Sequence, residues 1–211
     1  MNTRRAAAIA AVLGAAAASA VTLQVRAGGD KIAFPENYAQ GVMYYSFDRP
    51  DVKQYRETFV TPAAIDALKK DQPVPSGTVI TTVLHKAQLD ADGNPVKDAN
   101  GRFIKADLVG YAVMEKRTGW GAEYPDEKRN GEWEYQVFTA DRKVNDKANL
   151  NSCFECHKPH ASTDFLFTAD KIKAAPNKSC RVTTKEVLAK VLRPHVGADK
   201  RERRPIEGGS Q

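Results

Sequence analysis

The feature that most constrains this 211-residue chain is a five-residue motif near its C-terminal end, Cys153-Phe154-Glu155-Cys156-His157. It has the Cys-x-x-Cys-His form of a c-type haem attachment signal. Two thiols about one helical turn apart can each form a thioether with one haem vinyl group, and the adjacent imidazole then reaches the iron. The motif predicts one covalent haem c, bound through Cys153 and Cys156, with His157 as the proximal iron ligand.

A redox dithiol and a zinc site are the alternatives for this motif. A thioredoxin-type pair needs a βαβ sequence context, which the chain lacks. Zinc needs a second pair of ligands, and His160 and Cys180 are the residues that would have to supply it. Cys180 is otherwise expected to be a buried free thiol, with a disulfide-linked dimer as the alternative.

The sequence supplies no obvious sixth iron ligand. Met43 and Met114 lie in apolar, strand-like stretches, where core packing is the commoner role of methionine. His160 follows the proximal histidine too closely to reach the opposite haem face, and His195 lies in the C-terminal tail. His85, at a strand end, is the best candidate, although a surface position is its simpler interpretation. We therefore expect a vacant or water-filled sixth position.

The long segment before the motif is rich in predicted strands. Residues 77–84 contain a run of β-branched side chains, and residues 108–116 and 132–139 follow as further strands. In the last of these, apolar residues alternate with polar ones, so that one face is buried. Thr61-Pro62 predicts a helix start, with the helix ending near Asp71. The fold class is therefore α+β, an antiparallel sheet with a few helices, with the haem attached near the C-terminal side of the domain.

Charge is distributed unevenly along the chain. Residues 1–27 carry +3, residues 28–170 carry −4 and residues 171–211 carry +7, which gives the net charge of +6. A nucleic-acid-binding protein concentrates basic residues on its folded body, so no nucleic-acid partner is expected. The composition, with 42% hydrophobic and 27% charged residues, fits one globular domain with appendages.

The N-terminal residues 1–27 are predicted to be a signal peptide. Arg4 and Arg5 precede an alanine-rich run, and small-x-small sites predict cleavage after Ala20 or Ala27. The run is short for a membrane span, the anchor being the alternative, so we expect a periplasmic protein without stable membrane insertion. A haem-binding cytochrome domain over residues 28–170 follows. The basic segment 171–211 is predicted to form a helix that begins near Thr183, and then a disordered tail.

Further sequence segments carry a second pattern. They are Phe34-Pro35-Glu36-Asn37-Tyr38, Gly77-Thr78-Val79, Gly110-Tyr111, Trp133-Glu134-Tyr135, and a block from Cys153 through Lys158 to Thr163-Asp164-Phe165-Leu166-Phe167-Thr168. Over residues 32–170 this pattern resembles the cytochrome P-460 and cytochrome c′-beta family. The resemblance implies an antiparallel sheet with helices, a five-coordinate haem with an open distal side and, as is common in the family, a homodimer.

The resemblance also identifies where this chain departs from the P-460 branch, in which a lysine is joined covalently to the haem and hydroxylamine is oxidised. Thr82 stands at the sequence position of that lysine, and Ala112 stands at the position of a distal glutamate of the P-460 branch. Lys86 has the same strand parity as Thr82, which leaves a shifted cross-link open. An arginine of the family is retained as Arg56, which would hydrogen-bond a haem propionate or a distal ligand; a surface arginine is the alternative.

Three functions are consistent with these observations. The first is a ligand-binding cytochrome like the c′-beta branch, which takes nitric oxide or a similar small ligand and exchanges electrons with a redox partner protein. The second is a hydroxylamine-oxidising enzyme of the P-460 type, a haem oxidoreductase acting on hydroxylamine or nitric oxide. The third is an electron carrier with two axial ligands. Threonine and alanine at the positions of the lysine and the glutamate favour the first, because a distal side without a charged proton acceptor suits neutral diatomic ligands.

Overall fold

The computed structural model describes residues 29–176. The predicted signal peptide, the helix near Thr183, the charged tail, Cys180 and His195 lie outside the described residues. Within residues 29–176, none of the helices has the length and apolar character needed to cross a membrane.

In the described part of the chain, five antiparallel strands form one sheet, and each strand pairs with the next one in the chain. The strands are β1 (Val42–Arg49), β2 (Gln54–Val60), β3 (Val79–Ala87), β4 (Lys105–Lys116) and β5 (Trp133–Thr139). Together with three short helices, this sheet confirms the predicted α+β class. The strands predicted over residues 77–84, 108–116 and 132–139 correspond to β3, β4 and β5.

The α-helices of residues 29–176 pack against one face of this sheet. Helix α1 (Pro62–Lys69) begins directly after Thr61, as predicted. The Thr61 hydroxyl accepts a hydrogen bond from the backbone N–H of Val79 at 3.0 Å, so it connects the helix start to β3 instead of capping the helix. Helix α2 (Asn151–His157) contains the whole Cys-x-x-Cys-His motif, and a 3₁₀ segment, Lys158–Thr163, follows it.

Helix α3 (Ala169–Ala174) crosses the boundary predicted between residues 170 and 171. Its side chain Ile172 is fully buried, and Ala175 just beyond the helix is nearly so. The folded body therefore continues to the end of the described residues. The reason is that α3 packs its apolar residues into the main core, which is the core on the helix-covered face of the sheet.

Each face of the sheet has its own core. On one face the three helices cover Val42, Val60, Ile80, Met114, Trp133 and Tyr135. On the other face, the segment before β1 covers Phe59, Val83, Tyr111, Val113 and Phe138 with Ile32, Phe34 and Tyr38. Side chains of a strand alternate between faces, so the odd-numbered residues of β5 and the even-numbered residues of β3 lie on the helix-covered face.

The connection between β3 and β4 contains the same turn twice. In the first copy, Asp90 Oδ1 accepts hydrogen bonds from the backbone N–H groups of Asp92 and Asn94 at 3.0 and 2.8 Å. In the second, Asp98 Oδ1 does the same for Asn100 and Arg102 at 2.8 and 2.9 Å. Asp92-Gly93 and Asn100-Gly101 thus lie in two successive tight turns.

Candidate functional site

Helix α2 presents the two cysteines of the motif on one helical turn. Cys153 is half-buried against the main core, Cys156 is exposed, and both are free thiols. Phe154 between them is buried, and its ring packs against Tyr124 and Tyr135 at centroid distances of 5.1 and 4.7 Å. Phe154 anchors the helix to the sheet, which leaves the thiols available for covalent chemistry.

His157 is held in one orientation by three neighbours. Its Nδ1 lies 2.7 Å from the carbonyl oxygen of Phe165, so Nδ1 carries the proton and donates it. Nε2 then keeps its lone pair, which is the form that a metal-ligating histidine needs. The imidazole also contacts the rings of Tyr135 and Phe167, at centroid distances of 5.0 and 4.5 Å. Burial lowers the pKa of His157, with a smaller contribution from His160, and this favours the neutral ring.

The Phe165 carbonyl is delivered by an unusual backbone turn. Asp164 and Phe165 both have left-handed backbone angles, with φ of 55° and 61°. Aspartate tolerates this region, but for a bulky residue such as phenylalanine it is an outlier that the surroundings must impose. Lys116 Nζ donates to Asp164 Oδ2 at 2.7 Å, and Trp133 Nε1 donates to the Asp164 carbonyl at 2.9 Å.

The strand register brings the predicted distal residues Arg56, Thr82 and Ala112 to one face of the sheet. Thr82 is paired with Ala112 on β4 and with Thr58 on β2, and Arg56 lies two residues along β2 from Thr58, on the same face. This is the same face as Tyr135, whose ring contacts His157. This area is called the open face, and its half-exposed side chains include Tyr45, Phe47, Arg56, Thr82, Leu84, Ala112 and Val137.

A second arginine, Arg49, belongs to the open face and was not found from the sequence. The pairing of β1 in the folded sheet places it on the same face as Tyr45 and Phe47. The sequence carries no signal for this, because most residues of β1 are half-buried whichever face they lie on. Arg49 binds Asp51 through two hydrogen bonds of 2.8 and 2.5 Å. The pKa of Arg56 is lowered, chiefly by burial and then by the charge of Arg49. The open face therefore combines apolar and aromatic side chains with two neighbouring guanidinium groups.

The other residues weighed as iron ligands lie elsewhere. His85 is on the opposite face of β3 from Thr82, with Nδ1 3.2 Å from the Ala106 carbonyl oxygen. Met43 is exposed, and Met114 is buried in the main core. His160 packs on the Phe167 ring, at a centroid distance of 5.4 Å. Among residues 29–176, no three side chains of His, Cys, Asp or Glu form a group that could hold a metal ion.

Lys86 shares the open side of β3 with Thr82 but lies at the end of the strand. Its side chain is 64% exposed and its Nζ is 3.7 Å from Asp107 Oδ2. Four residues along a strand correspond to about 13 Å, so Lys86 and Thr82 occupy different ends of this face.

The antiparallel sheet and the motif helix with its oriented histidine are features of a haem-binding cytochrome. A sequence model described as Cytochrome P460 matches residues 35–168, a range that contains all five strands and α2. The match covers more than half of the chain, so the chain belongs to the cytochrome P460 family. No curated protein sequence matches the chain.

Proposed function

We propose that this protein is an exported mono-haem c-type cytochrome that binds a small ligand at an open distal site. One haem would be attached through Cys153 and Cys156, with His157 as the proximal ligand. The observation that carries this proposal is the state of His157, whose Nδ1 donates to the Phe165 carbonyl while Nε2 stays available, beside two free thiols on one helical turn.

The environment of the thiols supports haem attachment over a redox dithiol. Burial raises the pKa of Cys153, and the nearby Cys156 raises it further. The nucleophilic cysteine of a thioredoxin-type pair has a lowered pKa, because the thiolate is the reactive form. The first cysteine of this motif is shifted in the opposite direction.

The open face supports the proposed position of the haem. Its aromatic and aliphatic side chains would contact the porphyrin, and the guanidinium groups of Arg49 and Arg56 would bind the propionate carboxylates. When bound, haem would supply an iron that exchanges one electron and takes a small ligand. Residues of this chain would orient the group, shield it from water and limit which ligands enter.

The chemistry of Thr82 and Ala112 favours neutral diatomic ligands, of which nitric oxide is the proposed example. Both side chains are small and uncharged, and the Thr82 hydroxyl lies 3.4 Å from that of Thr58. Neither can accept a proton from a nitrogen substrate as a carboxylate does. Transfer of electrons to a redox partner protein and a periplasmic location are parts of the same proposal.

Haem attachment is tested by replacing both motif cysteines. The wild-type chain, produced together with the enzymes that attach haem c, should have the mass of the mature chain plus one haem. Cys153→Ala with Cys156→Ala should leave no haem-stained band on a denaturing gel, whereas the control Cys180→Ala should keep it. A band that survives the double replacement would refute the assignment.

Export is tested by the N-terminus of the protein recovered from the periplasmic fraction. We expect it to begin after Ala20 or Ala27. An intact Met1 in washed membranes would instead identify the first segment as an anchor.

A further inference from the structure

Two residues of the sheet hold the turn that supports His157. Lys116 and Trp133 are paired across the last rung of β4 and β5, and both reach Asp164. Trp133 is fully buried, and the side chains of Lys116 and Asp164 are only 10% and 21% exposed. The Lys116–Asp164 ion pair is therefore largely withdrawn from solvent, unlike the exposed pair formed by Lys143 and Asp141.

These contacts of Lys116 and Trp133 with Asp164 explain a backbone conformation that the local sequence does not favour. Asp164 and the bulky Phe165 are left-handed in succession, and Phe165 N–H donates to the His160 carbonyl at 2.8 Å. Such a conformation persists only where surrounding contacts determine it, and it is found at sites where a group must be aimed. Here the aimed group is the Phe165 carbonyl, 2.7 Å from His157 Nδ1.

We propose that Lys116, Trp133 and Asp164 are positioning residues that set the hydrogen bond between His157 and the Phe165 carbonyl, and through it the reduction potential of the haem iron. The inference rests on the proposed function. A hydrogen bond from Nδ1–H to a carbonyl raises the basicity of the imidazole. A more basic imidazole would stabilise ferric iron and strengthen the bond between the iron and His157.

The test uses the haem-loaded full-length protein and variants at both ends of the ion pair. Asp164→Asn removes the charge but keeps a residue that tolerates left-handed angles. Lys116→Met removes the charge and keeps the length of the chain. Lys143→Met, which breaks an exposed ion pair, is the matched control.

Two readouts separate positioning from plain structural support. Resonance Raman of the ferrous protein should show a lower iron–histidine stretching frequency in both variants. Their midpoint potential should rise, by about 59 mV if the ferric-to-ferrous equilibrium shifts tenfold. The double variant should shift no further than the larger single shift, because both replacements break the same contact. The control should match the wild type.

The outcomes distinguish this inference from the proposed function. An iron–histidine band absent from the wild-type protein, or a wild-type chain without haem, overturns the proposed function. A normal wild-type band with unshifted potentials and frequencies in the variants overturns the positioning role alone. If Lys116→Met does not fold, Asp164→Asn decides by itself, and lowered unfolding stability without a spectroscopic shift counts against the proposal.

Discussion

Glu134 is a carboxylic acid in the interior, next to Tyr135 in β5. Its side chain is fully buried, and Oε2 accepts a hydrogen bond from the Tyr124 hydroxyl at 2.9 Å. Oε1 has no hydrogen-bond partner among residues 29–176, and the Lys31 ammonium lies 3.8 Å from it. Burial raises the pKa of Glu134 to about 7, because the charged form is poorly solvated there.

This shift predicts a pH-dependent stability. Between the ordinary pKa of glutamate and about 7, the unfolded chain has released the proton that folded Glu134 still holds. Stability should therefore fall as pH rises through that range, by about 2–3 kcal/mol between pH 5 and pH 8. Urea unfolding of the holoprotein at both values measures it. Glu134→Gln should remove most of this fall, and Glu127→Gln, at an exposed position, should not; an equal fall in Glu134→Gln would contradict the explanation.

The position of His85 predicts that it is not an iron ligand. It lies on the face of β3 away from the open face, and its ring nitrogens are near Ala106 and Glu57. Because it is not directed toward the proposed haem position, His85→Ala should leave the ferric and ferrous absorption spectra unchanged. Met43→Ala is a parallel control. Loss of low-spin bands in His85→Ala would show that His85 is an axial ligand and would favour the electron-carrier hypothesis.

The elements differ in how much of them the sequence predicts. In β5 the alternation of Trp133, Tyr135 and Val137 with polar residues identifies the strand, because one face is a core. In β1 and β2, most residues are half-buried on both faces of the sheet. The sequence of these two strands therefore shows no alternation of apolar and polar residues by which they could be identified. The pairing of Thr82 with Ala112 depends on register, which spacing along the chain does not fix.

The turn at Asp164 and Phe165, which orients His157, could not be predicted from the sequence either. The motif predicts His157 as a ligand from five residues alone. The turn that orients it depends on Lys116 and Trp133, which are distant in sequence and meet Asp164 only in the folded sheet. A phenylalanine with left-handed backbone angles has no sequence signal, because it contradicts the local preference of that residue.

Strands β4 and β5 pack closely at Gly110, which predicts a large effect of a single methyl group. A Cβ at this position would lie 2.3 Å from the Phe138 carbonyl oxygen, so the backbone would have to move. Gly110→Ala should destabilise the protein by about 2–3 kcal/mol. Gly93→Ala is the matched control, since its Cβ would meet nothing within 4 Å and only the left-handed angle costs about 1 kcal/mol. Urea unfolding midpoints compare them, and equal losses would refute the close-packing argument.

In the whole molecule the two faces of the sheet are closed to different extents. The segment before β1 covers one face with an aromatic cluster in which Phe34 contacts Tyr111 and Phe138. The helices cover only one end of the other face, and the half-exposed side chains of the open face around Thr82 lie beyond them. A planar, largely apolar group anchored at α2 would complete this second face, which relates the architecture to the proposed haem site.

This arrangement predicts how the intact holoprotein treats ligands. The open face near Thr82 and Ala112 has neither an amine nor a carboxylate at those two positions, and Lys86 lies at the strand end beside Asp107. The ferrous protein should therefore bind carbon monoxide and nitric oxide without displacing a side chain, and it should oxidise hydroxylamine slowly or not at all. A tryptic map should recover Lys86 on an ordinary peptide free of haem, and Thr82→Lys, which introduces an amine on the open face, is the matched variant for detecting a cross-link. A haem-linked peptide containing Lys86 in the wild-type protein would contradict this prediction, and so would rapid hydroxylamine oxidation. Either result would indicate that the protein is a hydroxylamine-oxidising enzyme of the P-460 type.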